Sequence, residues 1–289
     1  MKVALIQKKY FGNKKKSVKN TVCDIKTASV EGAKLVILQE LHQHEYFCQS
    51  EDPSFFTYAE SWQKDLRYWS QVAKDNAVVL VTSLFEKRAA GLYHNTAVVF
   101  DKDGTVAGKY RKMHIPDDPG FYEKFYFTPG DLGFEPIQTS VGKLGVLICW
   151  DQWYPEAARL MSLKGADMLI YPTAIGWFDA DAKKEKKRQL ESWISIQRAH
   201  AIANGIPVVS CNRVGFEEDA SKVMKGIRFW GNSFVCDPQG ELIARAGKKE
   251  MILYANIDTK RTKEVRDIWP FLRDRRIDAY DDLLKRYCD

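Results

Sequence analysis

The apolar residues in the first half of the chain fall into two kinds of pattern. Continuous apolar runs at Val3 to Gln7, Leu35 to Leu38 and Ala77 to Val81 predict buried strands. Between these runs, apolar residues recur at the spacing of one helical face in two sets: Val18, Val22, Ile25 and Ala28, then Trp62, Leu66, Trp69 and Val72. The order of strand, helix and strand predicts an α/β fold whose core includes the tryptophan-rich face.

Turn sequences between apolar segments predict two β-hairpins. Their strands flank "DKDG" and "DPQG" and are Tyr93 to Phe100 with Thr105 to Lys112, and Phe234 to Cys236 with Glu241 to Ala246. Further buried strands are predicted at "DMLIYPT" from Asp167 and "PVVSCN" from Pro207, with a helix around Trp193 to Ala203 between them. Antiparallel hairpins within a βαβ pattern imply mixed sheets.

A cysteine follows one of the predicted strands. Val146 to Ile148 form a short apolar run before Cys149, and Pro155 with Glu156 suits the first turn of a helix. The thiol is therefore expected at the carboxyl end of a strand and before a helix, where open α/β sheets bind their ligands. A cysteine in this setting is alternatively a small core residue that packs like valine.

Length, composition and charge indicate a globular protein without a nucleic-acid or membrane partner. The 289 residues are 45% hydrophobic, and no linker divides them, so we expect one domain over 1–289 with residues 260–289 as a charged tail. The net charge is 44 − 38 = +6, but basic runs such as "KKEKKR" are interleaved with acids and indicate solvated faces. The first residues predict a strand rather than a signal peptide, and no apolar run approaches the roughly 18 residues that span a bilayer.

Cysteine usage and two further motifs argue against disulfides, metal and phosphate loops. The six cysteines lie far apart without a Cys-x-x-Cys pair, which predicts a reduced, cytoplasmic setting. "HQHEYFC" offers His42, His44 and Cys48, but no second cluster completes a metal site. "GTVAGKY" lacks the spacing and the hydroxyl of a phosphate loop, so we expect it to be a hairpin turn.

Two other strand ends carry the groups that a thiol needs to attack an amide. Glu40 ends "LVILQE" and offers a base for the thiol proton, while Lys112 ends "VAGKYRK" and offers a cation for the oxyanion. A charged residue at the end of an apolar strand is commonly a solvated edge residue. The joint occurrence of Glu40, Lys112 and Cys149 at three strand ends favours an enzyme whose thiol attacks an amide carbonyl.

These segments resemble a known family. "LQE", "YRKMHIP" and "GVLICWDQWYPEAARL" are similar to the three catalytic segments of the carbon-nitrogen hydrolase (nitrilase) family, in the same order, and the resemblance runs from "VALIQ" to about Asp258. It implies a four-layer α-β-β-α sandwich with two mixed β-sheets. It also implies a homo-oligomer built from dimers, with the tail packed at a subunit interface.

The resemblance implies a role for each matched residue. Glu40 is the general base, Lys112 stabilises the oxyanion, Cys149 is the nucleophile, and Glu123 in "GFYEKF" orients the lysine. The backbone N–H of Trp150 is expected to assist at the oxyanion. An ammonium beside the thiol is expected to lower its pKa below about 8.5. No metal or organic cofactor is implied.

The substrate expectation is a small N-carbamoyl amine. "HIPDDPGFYEKFYFTPGD", "CWDQWYPEAARLM" and "YPTAIGW" are most similar to family members that release putrescine, CO2 and NH3 from N-carbamoylputrescine. Trp150 is expected to contact the substrate, and Trp153, Trp177 and Phe178 are expected to form the apolar slot. Asp179 or Asp181 is expected to bind the ammonium, although both acids suit plain loop positions as well.

Two kinds of alternative stay open at this point. The absence of arginine directly after Cys149 disfavours a substrate with a carboxylate. Another small amide, a nitrile or 3-ureidopropionate is an alternative substrate within the family. A catalytically silent scaffold is the alternative outside enzymology, and the intact Glu40, Lys112 and Cys149 argue against it.

Overall fold

A computed structural model describes residues 1–288 and arranges them around two six-stranded sheets. Strands are numbered along the chain. The first sheet contains β1 (Lys2–Gln7), β2 (Leu35–Leu38), β3 (Val79–Ala89), β4 (Leu92–Phe100), β5 (Val106–Arg111) and β15 (Met251–Asn256). The second contains β6 (Ile137–Thr139), β7 (Gly142–Val146), β8 (Met168–Thr173), β10 (Val208–Asn212), β13 (Phe234–Cys236) and β14 (Leu242–Arg245). A small third sheet contains β9 (Gly176–Trp177), β11 (Val214–Glu217) and β12 (Ile227–Trp230).

Four helices cover the outer faces of the two large sheets: α1 (Lys14–Val30), α2 (Trp62–Asn76), α4 (Pro155–Leu163) and α5 (Lys183–Asn204). The short helix α3 (Glu123–Tyr126) lies at the candidate site, and α6 (Arg261–Ile268) follows the last strand. The helices α1 and α2 contact the first sheet, α4 and α5 contact the second, and the two sheets contact each other through β1, β2, β3, β8 and β10. The predicted four-layer α-β-β-α sandwich is therefore confirmed.

Both large sheets are mixed, as the hairpins predicted. In the first, β1, β2 and β3 are parallel, whereas β15, β4 and β5 pair antiparallel with their neighbours. In the second, β7, β8 and β10 are parallel and the remaining strands are antiparallel. The carboxyl ends of β2 and of β8 therefore meet at one edge of the sandwich, where the candidate site lies.

Side-chain alternation along β1 assigns its apolar residues to two cores on opposite faces of the first sheet. Val3 and Leu5 of β1 lie in the core between the sheets, while Ala4 and Ile6 of the same strand lie in the core beneath α1 and α2. Because successive side chains of a strand point to opposite faces, a strand buried on both faces is apolar throughout, as β1 and β2 are.

Two predicted element boundaries differ from the structure. The helix predicted around Trp193 begins ten residues earlier, at Lys183, because the charged "KKEKKR" run forms its exposed first turns. The strand predicted to end at Ile148 ends at Val146. The Ile148 N–H donates to Asp151 Oδ2 at 2.9 Å instead of to a neighbouring strand, which turns the chain out of the sheet just before Cys149.

The segment after α6 extends from the sandwich with exposed apolar side chains. Ile277 is 70% exposed and Leu284 is 94% exposed. A subunit interface in the tail 260–289 stays a prediction, and residue 289 lies outside the described residues. Within residues 1–288, no helix combines the length and apolarity that crossing a membrane requires.

Candidate active site

Glu40 is held at the end of β2 by a strained and tightly bonded loop. Its side chain is fully buried, and the next residue, Leu41, has a left-handed φ of 47°. The Leu41 N–H donates to Ser83 Oγ at 3.0 Å, and the buried guanidinium of Arg213 donates to the carbonyl of Leu41 at 2.8 Å. These contacts fix a backbone conformation that a leucine does not favour, and strain of this kind is common at functional sites.

Lys112 follows β5 and joins two buried carboxylates. Its Nζ lies 2.8 Å from Glu40 Oε1 and 2.7 Å from Glu123 Oε2, and all three side chains have zero exposure. Glu123 opens the short helix α3, and its other oxygen accepts a hydrogen bond from Tyr46 Oη at 2.7 Å. The structure thus brings together Glu40, Lys112 and Glu123, three residues that sequence analysis selected.

Cys149 begins a 3₁₀ segment in an unusual backbone conformation. Its φ is 44°, in the left-handed region, which costs a non-glycine residue about 1–3 kcal/mol. Asp151 supports this turn, because its Oδ2 also accepts from Tyr110 Oη at 2.9 Å and its Oδ1 from the His114 N–H at 3.1 Å. The Cys149 side chain is 5% exposed and lies at the cavity described below.

Burial and neighbouring charges tune the titration of these groups. Burial raises the pKa of Glu40 to about 7, with Lys112 opposing the increase and Glu123 adding to it. Burial alone would lower the pKa of Lys112, but Glu123 and Glu40 outweigh it, and the pKa lies well above its usual value. Lys112 is therefore an ammonium at neutral pH, and Glu40 changes charge near neutrality.

The expected decrease in the thiol pKa is wrong. Burial raises the pKa of Cys149 well above its usual value, the charge of Glu40 adds to the increase, and Lys112 opposes it only in part. One ammonium shared between two carboxylates has little field left to stabilise a thiolate. The resting thiol is therefore protonated, and its proton must be removed as it attacks.

Two polar residues that sequence analysis missed complete the cluster. Asn95 donates from Nδ2 to Glu40 Oε1 at 2.7 Å, and Tyr46 donates to Glu123. Asn95 lies in "LYHNTAVVF" on β4, and it is 1% exposed. A polar residue inside an apolar strand was the available signal, because buried polar groups are nearly always hydrogen-bonded.

A cavity of about 440 Å³ leads from solvent to the thiol. Its buried end includes Cys149 and Glu123, and its aromatic wall includes Trp150, Trp153 and Phe178. Charged residues in its wall, namely Asp118, Asp181, Glu185 and Arg188, are half-buried or exposed and so lie toward its mouth. The cavity therefore combines an apolar slot with an outer charged ring.

Two residues expected in the substrate pocket lie elsewhere. The Trp177 side chain is in the core, with its ring centroid 5.1 Å from that of Trp230. Asp179 forms a two-point ion pair with Arg228 on the surface, with both distances 2.7 Å. Asp181 and Glu185 line the cavity instead of Asp179, because the loop before α5 turns Asp179 toward β12.

The histidines of "HQHEYFC" are packing residues. His42 lies edge-on against Trp69, His44 stacks on Tyr58, and burial lowers the pKa of each histidine to about 3. Across residues 1–288, no group of three or more His, Cys, Asp or Glu side chains is arranged to hold a metal ion.

The fold and the cluster define an α/β-sandwich enzyme with a cysteine, a lysine and two glutamates at one sheet edge. A family model described as carbon-nitrogen hydrolase matches residues 2–267. The chain belongs to the carbon-nitrogen hydrolase family, and it is a hydrolase that acts on linear amides.

Individual relatives agree with this assignment. N-carbamoylputrescine amidase from Solanum tuberosum is 43% identical over 264 residues, covering 90% of this chain and 87% of that protein. Citrullinase from Francisella tularensis is 36% identical and covers 99% of both chains. The crystal structure of a carbon-nitrogen hydrolase from Helicobacter pylori G27 superposes with a TM-score of 0.98 at 59% identity, covering 100% of this chain and 99% of that one.

Proposed function

We propose that this chain hydrolyses N-carbamoylputrescine to putrescine, CO2 and NH3. The observation that carries the proposal is the cavity, whose aromatic wall suits a four-carbon chain and whose outer acids suit a terminal ammonium. Similarity to N-carbamoylputrescine amidases supports the same substrate. Asp181 is the acid we assign to the ammonium, because Glu185 already has Arg188 within 3.5 Å.

The proposed mechanism uses Cys149 as nucleophile. The sulfur attacks the carbamoyl carbon while Glu40 removes the thiol proton, and the ammonium of Lys112 with the Trp150 N–H stabilises the oxyanion. The proton passes from Glu40 to one carbamoyl nitrogen, and the carbon–nitrogen bond breaks. Glu40 then takes a proton from water, the hydroxide displaces the sulfur, and Glu40 returns the proton to the departing thiolate. The resulting carbamic acid decomposes to CO2 and the second amine.

The raised pKa of Glu40 predicts an acid limit on activity. Because the base must be ionised, kcat/KM should decrease about tenfold per pH unit below a pKa of about 7, and it should be level just above that pKa. The measurement is the rate of ammonia release at low substrate concentration between pH 5 and 8. A profile that stays level down to pH 5 would contradict a base with this raised pKa.

A second substrate, citrulline, is favoured by one specific residue. Citrulline carries the same carbamoyl group as N-carbamoylputrescine and differs by a carboxylate beside its amine. Arg188 and Glu185 lie side by side at the cavity, and together they could bind a carboxylate and an ammonium. The expectation of a pocket without arginine rested on the residues after Cys149, but α5 supplies this arginine from a distant part of the chain.

Arg188→Met distinguishes these substrates. Because loss of the guanidinium frees Glu185 to attract an ammonium, the change should raise kcat/KM for N-carbamoylputrescine several-fold and lower it for citrulline by about tenfold. Lys187→Met is the matched control, because it removes an exposed charge from the same helix outside the cavity wall. The unchanged enzyme should prefer N-carbamoylputrescine to 3-ureidopropionate by about ten- to a hundredfold.

A different order of catalytic efficiency among these substrates would show that the proposed substrate is wrong. If citrulline is the best substrate of the unchanged enzyme and loses its advantage in Arg188→Met, the diamine assignment is wrong. A preference for 3-ureidopropionate would exclude both cationic tails. In either case, the roles of Cys149, Glu40 and Lys112 would be tested separately by their own variants.

We also propose a cytoplasmic homo-oligomer built from dimers. All six cysteines are free, which supports a reducing compartment. Exposed apolar side chains around the end of α6, including Ile268 at 72% and Trp269 at 55%, support burial of the tail against a second subunit.

A further inference from the structure

The two oxygens of Glu40 have different surroundings. Oε1 accepts from Lys112 Nζ at 2.8 Å and from Asn95 Nδ2 at 2.7 Å. Oε2 is fully buried and has no hydrogen-bond partner among the residues described. A buried carboxylate oxygen without a donor is costly, and such an atom needs an explanation. The explanation here is that this oxygen is left free for the Cys149 thiol and the incoming substrate.

A hydrogen-bond chain through Ser83 fixes the direction in which Asn95 donates. Ser83 Oγ accepts the Leu41 N–H at 3.0 Å and lies 3.0 Å from Asn95 Oδ1. A serine hydroxyl has one proton, and this proton is free to go to Asn95 because the Leu41 contact uses only a lone pair. The amide oxygen of Asn95 is therefore directed to Ser83, and its NH2 group is directed to Glu40.

We infer that Asn95, oriented by Ser83, is a positioning residue that keeps Oε1 of Glu40 occupied and so assigns proton transfer to Oε2. The inference rests on Glu40 being the general base of the proposed function. Without Asn95, Lys112 alone would hold Oε1, and the carboxylate could turn about that single contact and shift Oε2 away from the thiol. Misplacement of a reacting group by as little as about 1 Å is enough to cost a large part of the rate.

Asn95 also contributes to the charge state of the base. The titratable or charged groups around Glu40 come from every adjoining element. They are Lys112 after β5, Glu123 of α3, Cys149 of the 3₁₀ segment, Tyr46 beside Glu123, the buried Cys48, and Arg213, which lies 3.3 Å from the Glu40 carbonyl. A neutral donor on a carboxylate favours its ionised form, so loss of this donor raises the pKa of Glu40 further.

The test compares pH profiles of kcat/KM for three single variants on the best substrate of the panel. Asn95→Leu keeps the shape and removes the donor, and we expect its acid limb to move upward by about one pH unit with a decrease in kcat. Ser83→Ala should move the limb in the same direction by a smaller amount, because Asn95 remains but is free to turn over. Thr82→Val is the control, since this neighbouring hydroxyl donates to the Val98 carbonyl outside the site.

The outcomes separate this inference from the proposed function. Thr82→Val should lower thermal stability and leave the acid limb unchanged. If Asn95→Leu fails to fold, Ser83→Ala carries the test. The inference would be overturned if the acid limbs of kcat/KM for Asn95→Leu and Ser83→Ala lie at the same pH as that of the unchanged enzyme. Turnover retained by Glu40→Gln would instead overturn the general base itself, whatever the Asn95 variants show.

Discussion

Replacing Cys149 by serine should abolish ammonia release while leaving the fold intact. Every bond-making step of the proposed mechanism passes through this sulfur, and removing the nucleophile of a catalytic unit costs at least about 10⁴-fold in kcat. A hydroxyl has a far higher pKa than a thiol, and Glu40, with a pKa of about 7, is too weak a base to activate it. The measurements are ammonia release and the thermal unfolding midpoint of each protein.

A matched substitution controls for burial of a hydroxyl. Cys211 is also fully buried, its sulfur lies 3.5 Å from the Ile6 carbonyl, and it does not line the cavity. Cys211→Ser should therefore keep its activity. Folded Cys149→Ser with turnover near that of the unchanged enzyme would remove Cys149 as the nucleophile.

Replacing Lys112 by methionine should cost both stability and catalysis. The change leaves Glu40 and Glu123 buried without their shared cation, and breaking a buried ion pair in this way costs about 3–5 kcal/mol in the free energy of unfolding. Loss of one oxyanion-stabilising group costs about 10²–10³-fold in kcat. Urea unfolding and steady-state kinetics measure the two effects separately.

The stability loss in Lys112→Met should depend on pH with a definite sign. Without the ammonium, the pKa of Glu40 is raised further, so its protonation relieves the repulsion from Glu123 and the loss should shrink as the pH falls from 8 toward 5. Adding Glu123→Gln should restore part of the stability and none of the activity. A stability loss that stays constant across this pH range would contradict a buried charge cluster.

Lys109→Met is the matched control, because Lys109 lies on β5, the strand that Lys112 directly follows. Lys109 lies 3.7 Å from Glu86 and its side chain is 34% exposed. Glu86 is buried but keeps its two-point contact with Arg111 in the variant, so loss of the partly exposed lysine should cost at most about 1 kcal/mol in the free energy of unfolding. Lys109 does not line the cavity. Lys109→Met should therefore change neither property by a comparable amount.

Elements and segments with a local signature could be predicted from the sequence. The strands from Val3 and Leu35 and the helix that contains Trp69 follow directly from apolar spacing. The boundary before Cys149 could not be predicted in the same way. Ile148 is as apolar as its neighbours, but its N–H leaves the sheet for a side chain three residues later.

The residues that line the cavity could not be predicted from the sequence, because contacts between distant segments select them. Asp179 and Glu185 are both acids near the start of one helix, and nothing in their local sequence separates them. Asp179 is turned away by Arg228, which is 49 residues further along the chain. The "KKEKKR" run was interpreted as a solvated face, yet Glu185 and Arg188 on one side of it line the cavity.

The sequence by itself determined the alternation that places each strand between two cores, and it placed Glu40, Lys112 and Cys149 at the end of their apolar segments. These features depend on neighbouring residues, so periodicity and motif are enough to predict them. Only the tertiary structure decided the protonated state of the thiol, the oxygen of Glu40 left free for it, and the charges around the cavity mouth. Each of these depends on burial and on distances between segments that the fold brings together, and a pKa follows from the sum of those contributions rather than from any one neighbour.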